Sequence, residues 1–171
     1  MQNIIWAPWR GVYVTGSKPS SGCVFCEINQ SPDDKDNYLL FRGSCVLVMM
    51  NLYPYNNGHL MVVPINHKSD ILELDKNEFE EIGLLMRHSI KIIKETMGAE
   101  GFNVGFNLGS AAGAGIANHL HMHIVPRWNG DTNFMPIISE TKTISEHLDV
   151  TYAKLVKFYG KLKEQQCRED L

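Results

Sequence analysis

Short apolar runs separated by turn residues mark the first part of the chain. Residues 38–41, 45–50 and 59–64 each have the length of a strand, and the turn at residues 42–44 joins the first two runs as a hairpin. The third run ends at Pro64, because a proline has no N–H to donate to a strand ladder. The pattern therefore predicts three consecutive strands.

The apolar period then lengthens to three or four residues. Residues 77–97 predict one amphipathic helix, whose apolar stripe consists of Phe79, Ile82, Leu85, Met86, Ile90, Ile93 and Met97. Asp75 or Asn77 can cap the start of this helix, and Gly98 stands where a glycine commonly ends one.

Two further strands and a second helix follow. Residues 102–108 and 119–126 have strand character, the glycine-rich segment 110–115 lies between them, and residues 143–163 have a weaker helical period. Because short turns join consecutive strands, the order of elements favours an α+β fold with an antiparallel sheet of about five strands over a doubly wound parallel sheet. The long helix is expected to pack on this sheet, and the second helix is C-terminal.

The length of 171 residues predicts a single domain over residues 1–171. Residues 1–22, which contain Trp6 and Trp9, predict an irregular arm that packs on its own domain or on a partner subunit. The last residues, 164–171, are expected to form a frayed tail.

Charge and hydropathy exclude several classes of partner. A net charge of −3 gives no electrostatic case for a nucleic-acid-binding protein, which is usually basic. No apolar run approaches the roughly 20 residues that a bilayer requires. The N-terminus has no basic segment followed by an apolar stretch and a cleavage site, so no secretory signal is predicted. We expect a cytoplasmic protein with neither a membrane nor a nucleic acid as partner.

The cysteines suit a reducing compartment. Cys23 and Cys26 have C-x-x-C spacing, whereas Cys45 and Cys167 have no nearby cysteine in the sequence. In the cytosol this spacing favours metal or redox chemistry over a disulfide framework. The pair alone leaves two packed thiols, a redox site and a zinc site open, since structural zinc requires two further ligands.

Three histidines alternate with apolar residues late in the chain. His119, His121 and His123 share one face of the strand predicted over residues 119–126, and the opposite face consists of Leu120, Met122 and Ile124. The apolar face is expected to pack on the long helix. The polar face has three interpretations: the outer surface of a half-buried strand, a metal site, or an active site.

Spacing and chemistry bear on these interpretations. The backbones of His119 and His123 would lie about 13 Å apart on a strand, so the three imidazoles do not easily converge on one ion, although one of them can share a metal with other ligands. A neutral imidazole can instead attack phosphorus and form a covalent intermediate. Its second ring nitrogen must then donate a hydrogen bond, and the flanking imidazoles can donate to phosphate oxygens.

The histidine segment resembles a family signature. H-L-H-M-H-I-V at residues 119–125 is similar to the pattern H-φ-H-φ-H-φ-φ, with φ hydrophobic, of the histidine triad (HIT) family of nucleotide hydrolases and transferases. Residues 51–64 (N-x-x-P-x-x-x-G-H-L-M-V-V-P) and 101–109 (G-F-N-V-G-F-N-L-G) resemble neighbouring strands of that family. W-A-P-W-R at residues 6–10 and P-R-W-N-G-D-T-N-F at residues 126–134 resemble the branch that contains diadenosine tetraphosphate phosphorylases and hydrolases.

This resemblance implies a HIT-like fold and an enzyme that cleaves dinucleoside polyphosphates, with diadenosine tetraphosphate as the favoured substrate. Phosphorolysis to ADP and ATP is slightly preferred over hydrolysis to AMP and ATP. The alternatives are a nucleoside phosphoramidate hydrolase and a non-catalytic, zinc-stabilised nucleotide-binding module. The resemblance also implies a homodimer or higher homo-oligomer, and it leaves a requirement for Mg²⁺ open.

The resemblance assigns catalytic roles by position. His121 matches the nucleophile that forms a histidyl–nucleotide intermediate, His123 matches a donor to the phosphate, and His59 matches a supporting histidine. Asn51 is expected to contact ribose. The phosphate and leaving-group side is expected to consist of Asn107, Gly113, Ala114, Gly115, Ile116 and, again, His123.

Two further features of the sequence bear on the subtype of enzyme and on a structural metal site. Hydrolases of the fragile-histidine-triad type carry Gln and Thr where this chain has Ala114 and Gly115, and this departure leaves room for inorganic phosphate as the acceptor. The zinc-binding branch of the family uses a C-x-x-C pair, a histidine after the G-H strand and the first histidine of the triad. The matching positions here, which imply a structural Zn²⁺, are Cys23, Cys26, His67 and His119.

Overall fold

The computed structural model describes residues 22–132 and 144–169, with the side chains of the last helix described as far as residue 162. Three helices are present in this part of the chain: α1 (Val24–Gln30), α2 (Lys76–Met97) and α3 (Leu148–Glu169). The strands are β1 (Leu39–Arg42), β2 (Val46–Met50), β3 (Leu60–Pro64), β4 (Gly101–Phe106) and β5 (Met122–Arg127). Two short 3₁₀ helices occupy Ile71–Glu73 and Ser110–Ala112.

The five strands form one antiparallel sheet in the order β1-β2-β3-β5-β4. This confirms the predicted α+β class. Strand β5 lies between β3 and β4, so that His123 is paired with Met61 on one side and with Gly105 on the other. The sheet therefore places one of the alternating histidines between two neighbouring strands, away from both edges.

Both faces of the sheet are covered where the strands are most apolar. Every residue of β2 and β3 is buried, which explains why these strands read as continuous apolar runs. Helices α2 and α3 pack on one face, through a cluster that includes Val48, Val62, Ile124, Leu85, Ile93 and Leu155. Helix α1 packs on the other face, through Phe25, Ile28, Leu39, Met49, Met61 and Val63.

The boundaries of α2 confirm the predicted helix and select between its two candidate caps. The Asp75 side chain accepts a hydrogen bond from the Glu78 backbone N–H at 3.0 Å, and the Glu78 carboxylate accepts one from the Asp75 N–H at 2.9 Å. This reciprocal pair is a capping box. Gly98 ends the helix with a φ of 63°, a left-handed conformation that glycine adopts without a steric penalty.

The predicted strand over residues 119–126 was wrong at its start, because β5 begins at Met122. The register of β3 with β5, extended past Met122, would place Pro64 opposite Leu120, and a proline has no N–H for that ladder. The Leu120 N–H donates instead to the Lys68 carbonyl at 2.6 Å. His119 and His121 therefore precede the strand.

Two helices also differ from prediction. Helix α1 was not predicted: it has seven residues and no side-chain cap at Cys23, so it lacks both a periodic stripe and a start signal. Helix α3 begins at Leu148 rather than at residue 143, and its backbone continues to Glu169 rather than ending at residue 163. Residues 1–21 of the predicted arm lie outside the described residues.

No helix within the described residues is both long enough and apolar enough to cross a membrane.

Candidate active site

Four histidines lie buried side by side where β3 and β5 meet: His59, His119, His121 and His123. Burial disfavours the charged imidazolium, and it lowers the pKa of each of the four rings. Burial, together with the charges of neighbouring imidazoles, lowers the pKa of His59 to about 3 and that of His123 to about 4. The cluster is therefore neutral near pH 7, and each neutral ring has one nitrogen that donates and one that accepts.

The backbone fixes which nitrogen of His121 carries the proton. His121 Nδ1 lies 2.8 Å from the carbonyl oxygen of His119. A carbonyl can only accept, so Nδ1–H donates to it, and the lone pair of a neutral ring is left on Nε2. This is the tautomer that a nucleophilic imidazole requires.

Two consecutive hydrogen bonds fix the opposite tautomer in His123. The Tyr55 backbone N–H donates to His59 Nδ1 at 3.0 Å, so this nitrogen must be the acceptor of the ring. His59 Nε2–H then donates to His123 Nδ1, which lies 3.0 Å away. With Nδ1 accepting, the remaining proton of His123 is on Nε2, where it is available as a donor.

The two rings thus face a ligand with complementary atoms. The centroids of His121 and His123 are 4.8 Å apart and their planes meet at 76°. One ring presents a lone pair and the other presents an N–H. Such a pair can attack an electrophilic atom and donate a hydrogen bond to an oxygen attached to that atom.

Aromatic rings cover part of the cluster. Phe25 of α1 lies 5.2 Å from both His119 and His121, measured between ring centroids. The Tyr55 ring lies 4.8 Å from His59 and 5.8 Å from His123, and Tyr55 is 53% exposed.

The side that faces β4 is open. Gly105 pairs with His123, and a Cβ built at Gly105 would meet no atom within 4 Å. Directly paired residues point to the same face of a sheet, so this space lies beside the His123 side chain. A ligand can therefore approach the cluster over Gly105.

Two cysteines and two histidines form a candidate metal site next to this cluster. Cys23 Sγ lies 3.1 Å from His119 Nδ1, and Cys26 Sγ lies 3.3 Å from His67 Nδ1 and 3.7 Å from His119 Nδ1. The four ligand atoms all lie within 4.8 Å of one another. Bonds of about 2.3 Å to sulfur and 2.0–2.1 Å to nitrogen give tetrahedral edges of about 3.3–3.8 Å, so the four residues fit one tetrahedral ion.

The tautomer of His119 also suits a metal. Its Nε2 lies 2.9 Å from the Pro64 carbonyl oxygen, so Nε2–H donates and Nδ1 keeps a lone pair toward the cysteines. His121 and His123 are not part of this group of ligand atoms within the described residues. The candidate metal site therefore includes one of the three alternating histidines, His119, and the other two lie outside it.

A buried carboxylate holds the segment that carries His67. Glu78 at the start of α2 accepts from Asn66 Nδ2 at 2.9 Å and from Lys68 Nζ at 2.5 Å. Burial alone would raise the pKa of Glu78, but hydrogen bonds from Lys68, Asn66 and the Asp75 backbone lower it. Since the Lys68 carbonyl also accepts from the backbone of Leu120, this clamp connects α2 to the residues on either side of His67 and to the histidine segment.

Glu78→Gln is expected to lower the free energy of unfolding by about 2 kcal/mol, because a Gln NH₂ group would face the donors of Lys68 or Asn66 inside the protein. The matched control is Glu80→Gln on the same helix, whose exposed ion pair with Lys76 spans 3.7 Å and is worth at most about 1 kcal/mol. Urea unfolding of both variants at neutral pH measures the difference. Equal effects of the two substitutions would contradict the clamp.

The other predicted binding residues lie around the cluster. The side-chain amide nitrogen of Asn51 is 3.4 Å from His59 Nδ1, which places Asn51 at the supporting histidine. Asn107 follows Phe106, the partner of Met122, so an extended register places Asn107 beside His121. The structure thus places Asn51 at the histidine cluster, and the extended register predicts the same for Asn107.

The loop before His119 borders open space. Gly113 has a φ of 84°, and a Cβ at Gly113 or at Gly115 would meet no atom within 4 Å. Ala114 is partly exposed, and Ile116 packs toward α1. A cavity of about 370 Å³ is lined by the start of α1 and by Gly115, Ile116, Ala117 and Asn118. The described residues therefore leave room for a ligand along this loop.

Sequence reasoning missed several contributors to the site. Phe25 covers two of the histidines, and its place between the two cysteines of C-x-x-C was the available signal. The backbone N–H of Tyr55 and the carbonyls of Pro64 and His119 fix tautomers, and main-chain groups leave no trace in the residue types. Such contacts become visible only when the chain is folded.

Residues 33–130 match the HIT domain family. The chain is 41% identical over 152 residues to a protein of Mycobacterium tuberculosis named AP-4-A phosphorylase, a match that covers 84% of this chain and 77% of that protein. A Zn-bound histidine triad family protein from Mycobacterium smegmatis has a similar fold, with a TM-score of 0.67 and 22% identity over 84% of this chain and 97% of that one. A hypothetical histidine triad nucleotide-binding protein from Sulfolobus tokodaii matches with a TM-score of 0.65 and 26% identity over 82% and 94% of the two chains.

Proposed function

The chain belongs to the HIT domain family, and on that premise we propose that it cleaves dinucleoside polyphosphates, with diadenosine tetraphosphate as the favoured substrate, through a covalent intermediate on His121. The observation that carries the proposal is the pairing of opposite tautomers in adjacent rings. His121 presents a lone pair on Nε2, and His123 presents a proton on Nε2 at a centroid distance of 4.8 Å. The name of the 41%-identical relative supports the choice of substrate.

The first step exchanges one bond to phosphorus for another. His121 Nε2 attacks an α-phosphorus, a bond from nitrogen to phosphorus forms, and the bond from that phosphorus to the bridging oxygen breaks. ATP leaves with the electron pair on its terminal oxygen. The imidazole becomes positively charged, and its Nδ1–H remains donated to the His119 carbonyl, which stabilises that charge.

The second step releases the nucleotide. An oxygen of inorganic phosphate attacks the phosphorus, the bond to nitrogen breaks, and its electron pair returns to His121 Nε2. The product is ADP, and any proton on the attacking oxygen passes to solvent. With water as acceptor the product is AMP.

His123 acts on the phosphate oxygens in both steps. Its Nε2–H is a fixed donor because His59 already occupies its Nδ1. A donor that is oriented before the reaction stabilises charge that develops on a nonbridging oxygen without reorganisation. The open space over Gly105 next to this ring is where the phosphate chain is expected to lie.

We propose that Cys23, Cys26, His67 and His119 hold a structural Zn²⁺. The bound ion would supply folding energy and keep its ligands deprotonated rather than react. His119 then has two roles: its side chain holds the metal, and its carbonyl holds the Nδ1–H of His121. The ordering of the metal site thereby orients the nucleophile.

Phosphorolysis is preferred over hydrolysis on one observation from this chain. Ala114 and Gly115 carry no polar side chain where fragile-histidine-triad hydrolases carry Gln and Thr, and a cavity lies beside Gly115. The absence of two polar side chains and this cavity support a site for a second anion along the loop before His119. A homodimer and a cytoplasmic location stay predictions from the sequence.

A product assay tests the proposed function. The protein is incubated with diadenosine tetraphosphate, with and without isotopically labelled inorganic phosphate and with and without Mg²⁺, and products are separated by chromatography. We expect ADP and ATP only when phosphate is present, with the label in ADP and none in ATP.

The other outcomes of the assay identify the alternative functions. AMP formed regardless of phosphate identifies the hydrolase, and turnover of adenosine 5′-phosphoramidate alone identifies the phosphoramidate hydrolase. Tight binding without any turnover contradicts the enzyme and leaves the binding module.

A further inference from the structure

We propose that Asn56 and Asp131 are positioning residues, which hold the loop before β3 so that the Tyr55 backbone N–H keeps His123 in its donor tautomer. The side-chain hydrogen bonds of Asn56 and Asp131 involve none of the histidine rings. For its consequence in catalysis the inference rests on the proposed function, whereas its effect on the tautomer does not. It also gives a role to the P-R-W-N-G-D motif, which the reaction itself leaves unused.

The anchor is the Asp131 carboxylate, whose side chain is only 7% exposed. It receives a two-pronged interaction from Arg127, with Nε at 2.7 Å and Nη2 at 2.9 Å. The backbone N–H of Trp128 at 3.2 Å and the hydroxyl of Thr132 at 3.0 Å also donate to it. The side chain of Trp128 donates in turn to the Met97 carbonyl at the end of α2, at 3.2 Å. The carboxylate is therefore fixed both to β5 and to the helix.

The Asn56 side chain attaches the loop before β3 to this carboxylate. Its side-chain amide donates one hydrogen to Asp131 Oδ2 at 2.8 Å and the other to the Pro126 carbonyl at 2.9 Å. Asn56 is 5% exposed, so neither bond has a ready replacement from water. Both donors of one amide are thus used to attach the loop to the end of β5.

Backbone hydrogen bonds connect the loop to His59. The Asn56 carbonyl accepts from the His59 backbone N–H at 3.2 Å, and the preceding residue, Tyr55, donates its own N–H to His59 Nδ1 at 3.0 Å. Gly58 packs against the Met97 side chain, where a Cβ would come within 2.8 Å of the sulfur, so the loop lies close to the end of α2 at this point. Asn56 is therefore one peptide away from the bond that decides the tautomer of His59.

Loss of that bond has a defined consequence. If the Tyr55 N–H moves away, His59 Nδ1 keeps only the longer contact with Asn51 Nδ2 at 3.4 Å, and the tautomer with the proton on Nδ1 becomes populated. In that tautomer His59 Nε2 is an acceptor. His123 Nδ1 would donate to it, and His123 Nε2 would present a lone pair where a phosphate oxygen requires a donor. The pair of complementary atoms would become two lone pairs.

The test uses Asn56→Ala, with Thr132→Ala as the matched control. The control removes a donor to the same carboxylate without touching the loop. Long-range nitrogen–proton correlation spectra of the histidine rings report which nitrogen is protonated, in the ligand-free protein and at neutral pH. In the wild type and in Thr132→Ala we expect His123 protonated on Nε2. In Asn56→Ala we expect a mixture of tautomers, with kcat for diadenosine tetraphosphate reduced at least about tenfold.

An unchanged tautomer of His123 in Asn56→Ala overturns the proposal, whether or not the rate falls, because a purely structural role predicts that result. Should Asn56→Ala fail to fold, Asp131→Asn, which keeps the side-chain volume, is measured in the same way and judged by the same criterion. Should the wild type show no turnover, the proposed function fails, and the tautomer measurement still decides the role of Asn56.

Discussion

His121→Ala is expected to reduce the cleavage of diadenosine tetraphosphate by at least about 10⁴-fold, because it removes the one atom that bonds to phosphorus. The remaining donors can bind the phosphate chain, but they cannot form an intermediate. Substrate binding should fall far less than turnover, since His123 and the surrounding loops are unchanged. Measured kcat and a separate binding titration distinguish the two effects.

The control for this variant is His88→Ala. His88 lies on α2, partly buried and outside the cluster, so its loss should leave turnover within a few-fold of the wild type. Both variants should keep the wild-type circular dichroism spectrum, since His121 makes one backbone hydrogen bond within its own segment. Turnover retained in His121→Ala would remove this residue from its role.

Removal of the metal is expected to lower the melting temperature by at least about 10 °C, because the four ligand atoms would be left close together without the ion that joins them. The cluster ties α1 to the residues after β3 and to the histidine segment, so its loss should release α1 first. Phe25 would then no longer cover His119 and His121. Turnover should fall with the melting temperature.

Cys26→Ser and Cys45→Ser form a matched pair for this prediction. Cys45 is a partly buried thiol that packs on the core and is not part of the cluster. Elemental analysis of protein purified without added metal should give about one zinc per chain for the wild type and Cys45→Ser, and clearly less for Cys26→Ser. A wild type with less than about a quarter equivalent, whose melting temperature is unchanged by a chelator, would contradict the zinc site.

The sequence predicted those parts of the fold that depend on side-chain pattern. Most of the stripe of α2, its caps at Asp75 and Gly98 and the five strands were recognisable because burial and capping select residue types. Phe79 of the predicted stripe is an exception, since it is exposed. The histidines and the C-x-x-C pair were recognisable from their spacing and from the resemblance to a family signature. The structure departs from the predicted strand over residues 119–126 because of the backbone. Pro64 has no N–H, and this ends the pairing of β3 with β5.

The roles within the site could not be read from residue types. His121 and His123 are the same residue two positions apart, yet their hydrogen bonds within the protein leave an acceptor nitrogen on one ring and a donor nitrogen on the other. The carbonyl of His119 and the amide of Tyr55 make that difference, and every residue has both groups. Helix α1 is the further example, since seven residues without a cap carry too little pattern to be recognised.

A covalent bond between His121 and a nucleotide is the central step of the proposed reaction, and trapping that bond tests the proposal most directly. The protein is mixed with excess diadenosine tetraphosphate in the absence of phosphate, quenched within milliseconds in alkali, in which phosphoramidates survive, and digested for mass spectrometry. We predict a nucleoside monophosphate attached to the peptide that contains His121, and none in His121→Ala. A wild-type enzyme that turns over substrate with no adduct, or with the adduct on His123 or another residue, would contradict the account.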